Sequence, residues 1–156
     1  MKVITLQDPW ASLVRLNEKH IETRSWSTRY RGPLLIHASK KSDAKNLKLA
    51  WNEPFYSAFL NAGNHRGITL YPGCIIAKCN LVDCQQITWS NGIDLALCIK
   101  AQKEKVIKDK EFIFGDYTAG RFAWMLEDIE PLEKPIPAKG RLGLWEFDFE
   151  GVLNHG

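Results

Sequence analysis

Apolar residues alternate with polar ones over most of this chain and take helical spacing in only a few places. That distribution constrains the fold more than any single motif, because period two marks half-buried strands and i, i+3, i+4 recurrence marks helices. Lys2 to Leu6 reads as a short strand of β-formers. Lys19 to Trp26 alternates, and Leu34 to Ala38 is a buried strand. Gly73 to Ile87 is a long strand with Ile75, Ala77, Cys79 and Leu81 on one face, Arg121 to Asp128 is another, and Leu142 to Phe149 is the last. Asp8-Pro9 starts a short helix, with Asp as N-cap and Pro at the first helical position. Its residues Trp10, Leu13 and Val14 share one stripe, and Asn17 stops it because Asn tolerates the left-handed conformation. Ser39 to Leu60 carries Leu47, Ala50 and Trp51 on one side and is broken at Pro54. A further helix is expected over 93–109, with the Lys/Glu run at 103–111 as its wet side. Asn61 to Gly67 reads as a loop, Pro131 to Pro137 as a linker, and Gly151 to Gly156 as a fraying tail.

Helices that come early and in the middle, not after every strand, disfavour a doubly wound parallel sheet. The expectation is one α+β domain over residues 1–150, a small curled sheet or barrel of five or six strands with two or three flanking helices. A length of 156 residues fits one domain, and at that size roughly 70% of the unfolded surface can be buried without staples. Apolar runs such as Leu34-Leu35-Ile36 fall far short of the ~20 residues that span a bilayer. The N-terminus reaches Asp8 and Pro9 before an apolar stretch of signal-peptide length. A soluble, cytoplasmic protein with no membrane partner is expected. The four cysteines, at 74, 79, 84 and 98, form no CxxC pair, which argues against a zinc ribbon. They are expected to be reduced, half-buried thiols.

Charge is unevenly spread. Residues 1–50 hold ten Lys/Arg against four Asp/Glu, whereas the remainder holds eleven against fourteen. A basic face suits a phosphate-bearing partner, and a solvated Lys-rich face explains the same count. No P-loop, GxGxxG, HExxH, GxSxG or EF-hand loop is present, so neither a metal nor an organic cofactor is suggested. His37 follows an apolar strand and is expected as a hydrogen-bonded core residue. Trp10, Trp51, Trp124 and Trp145 are expected in the core as well. The informative segment runs from Asn17 to Trp26. Glu22 and Arg24 are two apart in an extended stretch, so they project from one face about 7 Å apart. Such a pair can form a structural ion pair, or present a donor fork and an acceptor to a base or phosphate. Lys19, at the corner before the strand, can swing over that face.

Asp8-Pro9-Trp10-Ala11-Ser12-Leu13, then Lys19-x-x-Glu22-x-Arg24-x-Trp26, then Arg31-Gly32-x-Leu34-x-Ile36-His37-Ala38 together resemble the ASCH domain, named for homology to activating signal cointegrator 1. Gly115-Asp116-Tyr117-x-x-Gly120-Arg121-Phe122-Ala123-Trp124 and Gly140-x-x-Gly143-Leu144-Trp145 are similar to the family's closing strands. The resemblance covers nearly the whole chain. It implies a PUA-like β-barrel with a cleft beside the flanking helix, and RNA or nucleotide binding as the family's role. Two positions depart from the pattern. Asp8 stands where the family usually has Gln, and Asn17-Glu18-Lys19 replaces G-x-K, with Asn able to take the same left-handed turn.

On this reading the cleft binds single-stranded RNA or a nucleoside or nucleotide through Lys19, Glu22, Arg24, Trp26, Arg29, Arg31, Tyr117 and Arg121. Lys40 joins the basic side chains as a phosphate contact, and Trp26, Tyr30 and Tyr117 can stack on unpaired bases. The resemblance also implies an alternative, because some bacterial ASCH proteins hydrolyse N4-acetylcytidine with a lysine, a threonine three residues later and a more distant glutamate, and others are ribonucleases. Lys19 matches the lysine. The position three later is Glu22, and Thr23 is one step off, on the opposite face of a strand. An amidohydrolase would therefore use Lys19 as base or nucleophile and Glu22 as proton carrier. A third reading is a protein-interaction module in transcription regulation.

Overall fold

A computed structural model of the chain describes residues 1–62, 68–100 and 103–155. Its elements run β1 (Lys2–Leu6), α1 (Trp10–Arg15), β2 (Ile21–Arg24), β3 (Gly32–Ala38), α2 (Ala44–Leu49), α3 (Phe55–Asn61), β4 (Cys74–Ser90), β5 (Leu95–Lys100), β6 (Lys103–Lys108), α4 (Asp109–Ile113), β7 (Phe122–Pro137), β8 (Leu144–Glu146) and α5 (Phe149–His155). The α+β class expected from the sequence holds, but with eight strands and five short helices among the described residues in place of the five or six strands and two or three helices expected. None of these helices is long and apolar enough to cross a membrane.

The strands are ordered β2-β7-β4-β3-β1-β8, and the β5–β6 hairpin extends from the far end of β4. β1 lies parallel to β3 and the other ladders are antiparallel. The apolar run Leu34-Leu35-Ile36 is explained by burial on both faces. Leu34 and Ile36 join Ile4, Leu6, Val14 and Trp124 on one side of the sheet. Leu35 joins Val3, Ile75, Trp145 and Phe149 on the other. The barrel is not closed, because no ladder joins β2 to β8 among the described residues. The ends of the strand path are left as a seam.

Four expectations are corrected. The helix over 93–109 is instead the β5–β6 hairpin with α4 following it. Asn91-Gly92 is the turn signal that decides this: the Asn91 side-chain oxygen accepts from the backbone N–H groups of Ile93, Asp94 and Leu95, and Gly92 takes φ 71°. Chain reversal there lets Ala96 and Cys98 face the core in alternation. The linker over Pro131 to Pro137 is the second half of β7. β2 pairs only with Phe122 to Met125, so the half of β7 that carries Pro131, Pro135 and Pro137 pairs with β4 on one side and is an edge on the other, the setting in which sheets tolerate proline. The last strand is only Leu144–Glu146, and α5 follows it with Phe149 buried. Trp51 is 65% exposed, stacked on Tyr56, because the break before Pro54 turns Ala50 inward and leaves Trp51 outside. Most of the loop expected over Asn61 to Gly67 lies outside the described residues.

The short helix α1 follows the sequence in its buried stripe and its stop but starts one residue later than expected, with Pro9 and not Asp8 as N-cap and Trp10 as the first helical residue. Leu13 and Val14 are fully buried, and Asn17 takes φ 61° at its end. Asp8 is itself buried, and its carboxylate accepts from the Ser12 N–H at 3.1 Å and the Ser12 hydroxyl at 2.7 Å. Asp8 therefore braces the first turn of α1. Burial raises its pKa, partly offset by the Ser12 hydrogen bonds.

Candidate functional site

β2 is only four residues long, but its alternation sorts four side chains cleanly. Ile21 turns toward the cluster under the hairpin, and Glu22 and Arg24 turn the other way, opposite Trp124 and Phe122 of β7. Glu22 and Arg24 thus reach the seam, where a hollow of about 490 Å³ opens. The end of β1 (Thr5, Leu6), the β2 residues Glu22 to Arg24, the loop before β8 (Arg141 to Gly143) and the loop after α4 (Phe114 to Asp116) form its walls. The hollow exists because the sheet path stops short of closing.

The charges in this cleft are held in place. Arg24 Nε lies 3.3 Å from Glu22 Oε1, and its Nη2 donates to the Thr5 carbonyl at 2.7 Å. The second bond crosses the seam from β2 to β1, so the guanidinium substitutes for a missing ladder. Arg121 donates from Nε to the Asp116 carbonyl at 3.1 Å and from Nη2 to the Thr23 carbonyl at 3.3 Å, and it pairs with the Asp116 carboxylate at 3.3 Å. Burial pushes Asp116 up, but hydrogen bonds from Thr118 and the Arg121 charge outweigh it and leave the carboxyl below its ordinary value. Gly115, between Phe114 and Asp116, has no room for a side chain: a Cβ there would stand 2.6 Å from the Tyr117 ring. A fixed acid beside a fixed guanidinium offers a planar donor edge and an acceptor to one ligand group.

The remaining predicted residues lie elsewhere. Lys19 is 1% exposed and is not among the residues lining the cleft. Its ammonium donates to the Ile21 carbonyl and lies 3.8 Å from Glu111 of α4. Glu111 also accepts from the backbone N–H groups of His20 and Ile21, both at 2.9 Å. Burial raises the Glu111 pKa, but the His20 hydrogen bonds and the Lys19 charge overcome it and hold the carboxyl below its usual range. Tyr117 is buried, stacked on Phe112, with its hydroxyl donating to Glu111 at 3.3 Å. Burial, then the carboxylates of Glu111 and Glu22, push its phenol far up. Trp26 packs edge-on against Trp124, with ring centroids 4.6 Å apart, and its carbonyl accepts from the Trp124 indole. Arg31 pairs with Asp83 at 2.9 Å. Neither Arg31 nor the exposed Arg29 lines the cleft.

Of the residues the sequence points to, the structure brings Glu22, Arg24 and Arg121 into one hollow. It adds residues that sequence reasoning passes over: Trp10, Gln7, Asn46, Asp116, Arg141 and Leu142. Trp10 reads as core from its helical stripe, yet it sits at the start of α1 and faces the cleft. Arg141 and Leu142 carry a signal, because Gly140 and Gly143 bracket them and mark a turn rather than a strand. Among the described residues no group of His, Cys, Asp and Glu is arranged to hold a metal ion.

The family model of the ASCH domain matches residues 4–135. Over 99% of its length the chain is similar to the crystal structure of ASCH from Zymomonas mobilis, of which 92% is covered, at 14% identity and a TM-score of 0.51. The crystal structure of a single-substitution mutant of that protein gives the same identity and TM-score, with 94% of its chain covered. None of the curated proteins matches. At this identity the likeness speaks for the fold.

Proposed function

The chain belongs to the ASCH domain family, a PUA-like fold family often linked to RNA binding, and from that premise we propose that it recognises a single-stranded RNA nucleotide or a modified nucleoside in the seam cleft. The observation that carries this reading is the Glu22–Arg24 pair fixed on the wall of a hollow of about 490 Å³. That volume falls within the range of about 300–1,000 Å³ usual for small-ligand sites. Exposed base edges offer donors and acceptors side by side, which a carboxylate and a guanidinium can meet together. Trp10 contributes an apolar face for the ring, and Arg121 with Asp116 closes the other side. The test is calorimetric titration with cytidine, N4-acetylcytidine and a mixed-sequence RNA hexamer. Binding that is lost in Arg24→Ala and Glu22→Gln is the expected result, and undetectable binding of all of these ligands at low salt would overturn the reading.

One observation favours the hydrolytic alternative: Lys19 meets a glutamate distant in sequence, Glu111, at 3.8 Å. Against it stands the burial of that ammonium, one of whose three N–H groups donates to the Ile21 carbonyl. Following the ultraviolet absorbance of N4-acetylcytidine with the wild type and Lys19→Met separates the two. The binding reading expects no turnover in either protein, and Lys19-dependent turnover would replace it with hydrolysis.

A further inference from the structure

A second hollow, of about 1,100 Å³, adjoins the cleft and shares Thr5, Ser39, Arg141 and Leu142 with it. Its chemistry differs. Lys40, Lys41, Lys139 and Arg141 line it, and no Asp or Glu does. All four cations are exposed, and none has an ion-pair partner among the described residues. Asp8 and Asp43 line a separate hollow with Lys40 and Lys41, and the Asp8 carboxylate accepts from Ser12. This contrasts with the seam cleft, where Arg24 and Arg121 are each matched by a carboxylate.

The floor of the second hollow is built rather than accidental. His37 lies there at 1% exposure with Nε2 bonded to the Ala138 carbonyl at 3.0 Å, and its Nδ1 has no hydrogen-bond partner. The chain passes so close over this ring that a Cβ on Gly140 would stand 2.6 Å from it. That close approach seats the loop 139–142, with its two cations, against the Lys40–Lys41 turn that follows β3. Lys40 and Lys41 lie within the residues matched by the family model, and Lys139 and Arg141 lie beyond its last matched residue, 135.

We propose that this groove is a phosphate subsite of the cleft, so that the ligand is a phosphate-bearing nucleotide whose base occupies the seam and whose phosphate lies among Lys40, Lys41, Lys139 and Arg141. The inference rests on the cleft reading above and specifies its ligand class. Ammonium and guanidinium groups that line one hollow with no acid among its lining residues repel one another, and an anion relieves that repulsion. The exposed Leu142, between the two hollows, would cover the sugar that joins base to phosphate. A terminal monophosphate and an internal phosphodiester share this chemistry.

The test compares cytidine, cytidine 5′-monophosphate, cytidine 3′-monophosphate and a mixed-sequence RNA hexamer without terminal phosphates, by calorimetry at low salt, on the wild type and on Lys40→Gln/Lys139→Gln. A gain of about tenfold or more for a monophosphate over cytidine, abolished in the double variant while cytidine affinity is unchanged, is the expected result for a terminal phosphate. A Lys-dependent gain only for the hexamer assigns the groove to an internal phosphodiester, and the double variant's salt slope is then shallower by roughly 0.7 for each phosphate that a lysine no longer neutralises. Equal affinities for cytidine and all phosphate-bearing probes, or a gain that survives the double variant, would overturn the phosphate subsite and leave the cleft reading standing. Failure of every probe to bind the wild type would remove both.

Discussion

Two acid–base pairs flank β2, and they differ in nearly everything except composition. Glu22 and Arg24 are 14% and 27% exposed and line a hollow. Lys19 and Glu111 are 1% and 20% exposed and are enclosed by His20, Ile21 and Tyr117. The first pair leaves guanidinium N–H groups and carboxylate lone pairs for a ligand. The second spends its hydrogen bonds on the corner between α1 and β2 and on holding α4 against it. What separates the pair that lines the hollow from the sealed one is the exposure of the cation, 27% for Arg24 against 1% for Lys19, whereas the two carboxylates are covered to a similar degree.

The largest effect expected from breaking this contrast is in the sealed pair. Glu111→Ala leaves the Lys19 ammonium buried without its counter-ion and strips two backbone N–H groups of their acceptor. A loss of about 3 kcal/mol is expected in urea or guanidinium unfolding. Arg24→Ala is expected to act the other way round, weakening nucleotide binding by at least tenfold, as removal of a charge-assisted bond of about 1.5–3 kcal/mol does. Its cost to folding should be near 1 kcal/mol, for the single bond to the Thr5 carbonyl. If Arg24→Ala unfolds the protein while Glu111→Ala abolishes binding, the assignment of the two pairs is reversed.

A pH series sharpens the same contrast. The folded-state pKa of Glu111 is depressed, so the stability it contributes is present above the ordinary glutamate value of about 4.3 and is lost as pH falls through the lower folded value. The melting temperature of the wild type should therefore drop more steeply below pH 4 than that of Glu111→Gln, and parallel curves would show that the carboxylate's charge does not matter there. The smallest effect is expected at Arg31. Its pair with Asp83 is part-exposed, so Arg31→Ala should cost under about 1 kcal/mol and leave cytidine affinity as it was. A large loss of affinity would bring Arg31 back to the site.

Much of the scaffold is legible in the sequence because its signals are local. Lys2–Leu6, the stop at Asn17, the break at Pro54 and the buried face of β4 each depend on neighbours a few residues away. The stretch 93–109 misleads because Lys/Glu-rich sequence fits a wet helix face as well as an edge hairpin, and Asn91-Gly92 is the only local mark that decides between them. Trp26 and Tyr117 illustrate the other failure. An aromatic residue near basic ones reads the same whether it stacks on a base or, as here, packs edge-on against Trp124 or stacks on Phe112.

By itself the sequence determined that Glu22 and Arg24 share a face, because period two is a property of any extended chain. It also carried the ASCH signature and the glycines around 140–143 that open a turn. Only the tertiary structure decided that Lys19 is sealed by Glu111, that the sheet stops short of closing between β2 and β8, and that the loop before β8 brings Lys139 and Arg141 to the Lys40–Lys41 turn. Each of these depends on packing between segments far apart in the chain. The solvent access and electrostatic surroundings of a charge are set by all the segments packed around it, and no local pattern encodes them.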